Sequence, residues 1–350
     1  MTSLTYLQAG FWENLSSESS NRDGFERFEN MLNVSKALSN SVVITDVSES
    51  SIKEDLFLKI LIKQDKYQRC DSNYINKKIE GLDSSSDVKD LCATYLIDNQ
   101  LLCDGYKNQF GIFCLTSYDV CKKKMYTGGD AVLFDQQEKA SNYDKCKEQL
   151  STPSNSLIVI DPYLFDEEHY INTALIPLLD KILPRKLQIP FHITIFSQPL
   201  NSLKWGNTSI SKQEDIFPYF NKLIKGIRKD LIISLTLCHS TKTSERINGI
   251  KGDFHARYFL TNCLMVHAED GLDLYGKNEK CGKWSRFVFV WPSLDSNQRK
   301  DVDEYYRWIE ITSKNIQNPN KCVEKWGTSE NRLFDLINSD NKSSKQRVGI

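Results

Sequence analysis

The stretch Asp253-Phe254-His255-Ala256-Arg257-Tyr258-Phe259-Leu260-Thr261-Asn262 gathers the side chains best suited to chemistry on an oxyanion. It alternates as a strand does, because successive side chains on extended backbone point to opposite faces. Phe254, Ala256, Tyr258 and Leu260 fall on one face, and His255, Arg257, Phe259 and Thr261 on the other. A histidine and an arginine two residues apart therefore point the same way. Together they offer a candidate nucleophile and a bidentate cation, a pairing suited to phosphate. The structural alternative is that Arg257 bridges to a carboxylate while His255 is satisfied at a strand edge.

The elements that position this stretch precede it. Leu157-Ile158-Val159-Ile160 is a continuous apolar run, as in a strand buried on both faces, and it stops at Asp161-Pro162-Tyr163. Residues 169–183 repeat their apolar side chains at helical spacing, residues 191–196 form a strand, 213–229 a second helix and 231–237 a third strand. This β-α-β-α-β order predicts an α/β fold with a largely parallel sheet flanked by helices. Sites in such sheets are built at strand ends. Asp161 and His239 both end strands and are supporting candidates, although turn capping explains Asp161 equally well and His239 also reads as a plain loop histidine. After the opening stretch, Leu264-Met265-Val266 is its expected hairpin partner and residues 286–291 a last strand. Residues 302–311 form a helix that turns Tyr305, Trp308 and Ile309 inward.

Residues 1–150 read as a mixed α/β region whose residues carry no functional signal. Phe25, Phe28, Met31, Leu32 and Val34 recur at helical spacing, residues 41–45 suggest a strand, and a single helix is expected from the serines at 48–51 through Ile62. Gly128-Gly129 lacks the neighbours of a phosphate loop and precedes an expected strand at 131–134. Residues 151–338 form the expected α/β domain, and 339–350 a frayed tail.

Composition narrows the classes. The 350 residues are 40% hydrophobic and 26% charged, with a formal net charge of −1, so nucleic acid would need a local patch rather than a global field. No apolar run approaches the ~18 residues of a bilayer span, and no secretory leader is evident, so the expected compartment is cytoplasmic. The ten cysteines form no C-x-x-C pair and are expected to be free thiols. No cluster has metal-ligand spacing, so neither a metal nor another cofactor is expected.

His255, Arg257 and Asn262 occupy positions one, three and eight of a pattern. That spacing resembles the His-x-Lys-x-x-x-x-Asp/Asn motif of the phospholipase D superfamily, with arginine for lysine and asparagine in the last place. The chain is more similar still to the phospholipase-D-like domain at the C-terminus of MIT-domain proteins, where a His-x-Arg strand is followed by Gly-Leu-Asp, here Gly271-Leu272-Asp273. The resemblance spans roughly residues 155–312. It implies a hydrolase, a metal-independent phosphodiesterase or nuclease, in which His255 forms a phosphohistidine, Arg257 stabilises the phosphoryl oxygens and Asn262 holds the site. Asp253 or Asp273 would orient the imidazole.

Active superfamily members join two such motifs, and this chain has one. His169, His192, His239 and His267 are followed two residues later by Ile171, Thr194, Thr241 and Glu269. The resemblance then leaves two outcomes. A homodimer shares two copies of the motif across a two-fold axis. Otherwise the domain is a non-catalytic binding or scaffold module for a phosphate-bearing ligand, nucleic acid, a phospholipid headgroup or a protein partner.

Overall fold

The computed structural model describes residues 3–17, 24–39, 41–63, 67–80, 82, 94–122, 130–133, 147–165, 168–198, 213–240, 246–247, 250–251, 257–268, 286–291 and 299–334. Strands β1 (Ser3–Leu7), β2 (Ser41–Thr45), β3 (Tyr67–Arg69), β4 (Thr94–Leu96) and β5 (Phe113–Leu115) form a parallel sheet in the order β3-β2-β1-β4-β5. Its central strand, β1, is not anticipated from sequence. Thr5 tolerates that buried position because its hydroxyl is paired within the sheet. Thr5 Oγ1 donates to Ser41 Oγ at 3.0 Å, and Thr45 Oγ1 donates to the Leu7 carbonyl at 2.7 Å.

The single helix expected across residues 48–62 is two, Glu49–Glu54 and Lys59–Lys63. Asp55 divides them. Its backbone is extended, its Oδ1 accepts from the amides of Phe57 and Leu58, and its Oδ2 accepts from Trp12 Nε1 at 2.8 Å. The aspartate thus caps a second start and ties it to the helix Ala9–Ser17, while Leu56 is left exposed.

The second sheet comprises β6 (Asp130–Leu133), β7 (Ser156–Ile160), β8 (Phe191–Ser197), β9 (Ile233–Ser240), β12 (Arg257–Thr261), β13 (Met265–Ala268), β14 (Arg286–Val290) and β15 (Cys322–Trp326). Their order is β15-β9-β8-β7-β12-β13-β14-β6, and the short strands β10 (Arg246–Ile247) and β11 (Ile250–Lys251) pair apart from it. The β7, β8 and β9 strands are parallel and the remaining pairings antiparallel, so the sheet is mixed. The expected strand at 131–134 is found at Asp130–Leu133 and joins this sheet as β6.

On β7, Leu157 and Val159 pack into one core cluster, Ile158 and Ile160 into the other. Full burial of such aliphatic side chains stabilises by about 2 kcal/mol each. Helical residues 168–182, including the π-helical turn Ile171–Leu175, and the helix Ile216–Ile227 cover the first face. The helix Arg299–Gln317 covers the second with Tyr305 and Ile309, as expected. No described helix is long and apolar enough to cross a membrane.

One cysteine expectation is corrected. Cys238 and Cys322 form a disulfide, while Cys70, Cys103, Cys114 and Cys263 are free. The pairing of β9 with β15 brings the two bonded residues to a Cα separation of 6.0 Å across a sequence gap of 84, within bridging range.

The two sheets meet at Gly111, which ends the helix Gln100–Phe110 with φ 60°. A Cβ there would lie 2.1 Å from the Ser154 carbonyl oxygen. Around this contact Asn155 Nδ2 donates to the Phe110 carbonyl at 3.0 Å, and Gln188 N donates to the Gln109 carbonyl at 2.8 Å. Gly111→Ala combines left-handed strain with a backbone clash and is expected to cost at least about 2 kcal/mol. Urea unfolding measures this, and an unchanged midpoint would show that the junction yields freely.

Candidate oxyanion-binding site

The carboxyl edge of β7 sets the site. Asp161 is the first residue past the strand, and its amide donates to the Phe196 carbonyl at 3.1 Å. Its Oδ1 accepts from the Tyr163 amide at 2.8 Å, a turn that Pro162 helps to shape. The neighbouring β12 runs antiparallel, with Tyr258 opposite Ile160, so Arg257 arrives beside Asp161. Arg257 Nε lies 3.7 Å from Asp161 Oδ1, and its guanidinium carbon stands 5.0 Å from the centroid of the Tyr163 ring. A cation over an aromatic face is held by the ring quadrupole. Arg257 Nε is buried without a hydrogen-bond partner among the described residues, yet the side chain keeps 21% of its surface exposed. The geometry gives a clamped cation at the surface, backed by one nearly enclosed carboxylate.

The same face continues across the sheet. Ser197 closes β8 and pairs in register with His239 on β9, which pairs in turn with Glu324 on β15. Arg257, Asp161, Ser197, His239 and Glu324 therefore form a polar row across five strands, on the face that also carries Phe259, Val159, Ile195 and Leu237. The loop after β7 roofs it. Tyr163 covers Arg257, while Phe165 meets His239 edge-on at 5.2 Å and Trp326 meets it at 5.0 Å.

His239 is fully buried, and among the described residues neither ring nitrogen nor the Ser197 hydroxyl has a hydrogen-bond partner. Its Nδ1 lies 3.5 Å from Glu324 Oε2 without hydrogen-bond geometry. Burial dominates over that carboxylate and pulls the imidazole down to about 4, so at neutral pH the contact is not an ion pair.

The candidates fall into three groups. Arg257 and Asp161 meet, and His239 shares their row. Asn262 sits past the far end of β12, about 17 Å away at ~3.3 Å per residue. There its Oδ1 accepts from the Asn155 amide at 3.0 Å and its Nδ2 reaches the Gly111 carbonyl at 3.5 Å, so it ties the second sheet to the junction with the first. His255, Asp253 and Asp273 lie outside the described residues. Among the described residues, no group of three or more His, Cys, Asp or Glu side chains could hold a metal ion.

Tyr163, Ser197 and Glu324 are site neighbours that sequence reasoning misses. Ser197 carries a weak signal, because it directly follows the apolar run of β8. Glu324 carries none, since only the return of β15 along β9 brings it there.

His239 has a folded pKa below its ordinary 6.5, so the unfolded chain binds that proton first. Its contribution to stability is complete above about pH 6.5 and is lost as pH falls toward 4. Wild type is expected to lose about 2 kcal/mol from this group between pH 7 and pH 5. His239→Gln should show a correspondingly smaller difference in urea unfolding at the two pH values. Equal pH dependence in both proteins would contradict a buried neutral imidazole.

Compared with known proteins, the chain matches no family model and no curated sequence. Its functional reading therefore rests on its own residues and their geometry.

Proposed function

We propose that the carboxyl edge of the second sheet binds phosphodiesters and that the protein is a metal-independent phosphodiesterase or nuclease of phospholipase D type. The observation that carries this reading is Arg257 held at the sheet edge by Asp161 and Tyr163, with His255 two residues earlier in the sequence. In this mechanism a His255 ring nitrogen attacks phosphorus and the bond to the leaving alkoxide breaks. Water then hydrolyses the phosphohistidine. Arg257 stabilises the charge that builds on the non-bridging oxygens. Asn262 acts at a distance, by anchoring the far end of β12.

The leaving alkoxide needs a proton. His239, on the same row, is enclosed and neutral and is a poor donor. The His255 of a second copy supplies that proton in a homodimer. A second reading, a phosphate-binding module without turnover, is favoured by His239 itself. As the described histidine on the row it is enclosed and neutral, so one copy of the chain has no proton donor there.

An assay in EDTA on an aryl phosphodiester and on oligonucleotides, with sizing of the protein, separates these readings. Turnover is expected from a wild-type dimer, with none from His255→Ala and kcat/KM lower by about 10²–10³ in Arg257→Ala. If wild type lacks turnover but binds phosphate, and Arg257→Ala does not, the binding module is correct. Failure of wild type in both measurements removes the site altogether.

A further inference from the structure

Among the described residues β15 is an edge strand paired with β9, and it is held differently from the segment that follows it. The segment beyond Trp326 is locked by several independent contacts. Gly327, at φ 96°, brings its backbone so close to β9 that a Cβ would lie 2.0 Å from the Leu235 carbonyl oxygen. Ser329 N donates to Thr236 Oγ1 at 3.2 Å. Asn331 Nδ2 donates to the Leu157 carbonyl and to Thr194 Oγ1, both at 3.0 Å, and Arg332 Nη1 donates to the Pro190 carbonyl at 2.6 Å.

The strand itself, between Cys322 and Glu324, has an irregular register. Cys322 stands opposite Ser240 and Glu324 opposite His239, so one extra residue of β15 bulges out between them. The Cys238–Cys322 bond spans the sheet at this bulge. Cys238 directly precedes His239, and Cys322 lies two residues before Glu324. The bond is therefore a cross-strand tether at the place where regular pairing fails, next to the Glu324 carboxylate that faces the buried histidine.

We propose that Cys238 and Cys322 form a reversible thiol–disulfide switch that sets the position of Glu324, and with it the His239 end of the polar row. The reductant is a dithiol, of small-molecule or protein kind. Its thiolate attacks Cys322 Sγ, since Cys322 is 7% exposed whereas Cys238 is fully enclosed. The Cys238–Cys322 bond breaks, and Cys238 departs as a thiolate that takes a proton from water. The second thiol of the reductant then displaces Cys322 and leaves as a disulfide, so two electrons and two protons enter the protein. A disulfide oxidant reverses the exchange. Cys322 Sγ lies 3.4 Å from the Glu324 carbonyl oxygen, which gives the new thiol an acceptor within the bulge. The device stands independently of what binds at Arg257.

Peptide mapping of the alkylated native protein, with hydrogen exchange of residues 322–326 and 331–334, tests the switch. Under air oxidation a linked Cys238/Cys322 peptide is expected. Addition of a dithiol should remove the link and speed exchange of the 322–326 amides at least tenfold, while 331–334 stay unchanged. Cys322→Ser should exchange rapidly with or without reductant. The wild-type comparison stands by itself if that variant does not fold. Absence of the linked peptide, or equal 322–326 exchange in oxidised and reduced wild type, overturns the proposal.

Discussion

Burial of β7 on both faces is the constraint on which the second sheet depends. Leu157 and Val159 belong to one core cluster and Ile158 and Ile160 to the other, so the strand is stable only in the interior of the sheet. Its position then fixes its partners, with β8 parallel on one side and β12 antiparallel on the other. A slip of one residue in either pairing would turn apolar side chains from one core toward the other. The register that protects the core is thus the same register that aligns Asp161 with Arg257 on one side and Ser197 on the other. Precision at the polar edge follows from packing in the apolar interior.

That edge is electrostatically uneven. At one end a cation keeps some contact with water and shares its charge with a carboxylate. At the other, an imidazole enclosed by Phe165 and Trp326 is held neutral despite the nearby Glu324. Desolvation outweighs the attraction of a carboxylate that makes no hydrogen bond to the ring. The row is therefore polar along its whole length, with its arginine cation at the β12 end beside Asp161 and its buried neutral imidazole toward β15. The opposite end of β12 serves a different purpose. Asn262 joins the strand to Asn155 and Gly111, where the two sheets approach closely enough to require a glycine.

Much of this architecture was legible in local pattern. Alternation across Arg257–Thr261, the continuous apolar run of β7 and the helical stripe of Ile216–Ile227 each correspond to the elements found. Other parts were not legible, for identifiable reasons. β1 holds the centre of the first sheet although its hydroxyls suggest an exposed segment, because Thr5 pairs with Ser41 on β2 and the Leu7 carbonyl accepts from Thr45 at the other end of β2. The helix expected through Ile62 breaks because Asp55 has two amides and a tryptophan to bond. Asn262 shares a motif-like spacing with Arg257, yet five residues of extended chain carry it to the far end of the strand.

Sequence alone settled the periodicities, and with them the α/β class, the apolar β7 and the shared face of Arg257 with its neighbours. Those follow from backbone geometry and from the exclusion of apolar side chains from water, both local effects. Tertiary structure decided which strands lie side by side. It placed β6 in the second sheet, brought β15 back along β9, and so created the Arg257–Asp161 contact, the His239–Glu324 approach and the Cys238–Cys322 bond. Pairing between segments far apart in the chain depends on how both cores close at once, and no short window of residues carries that information.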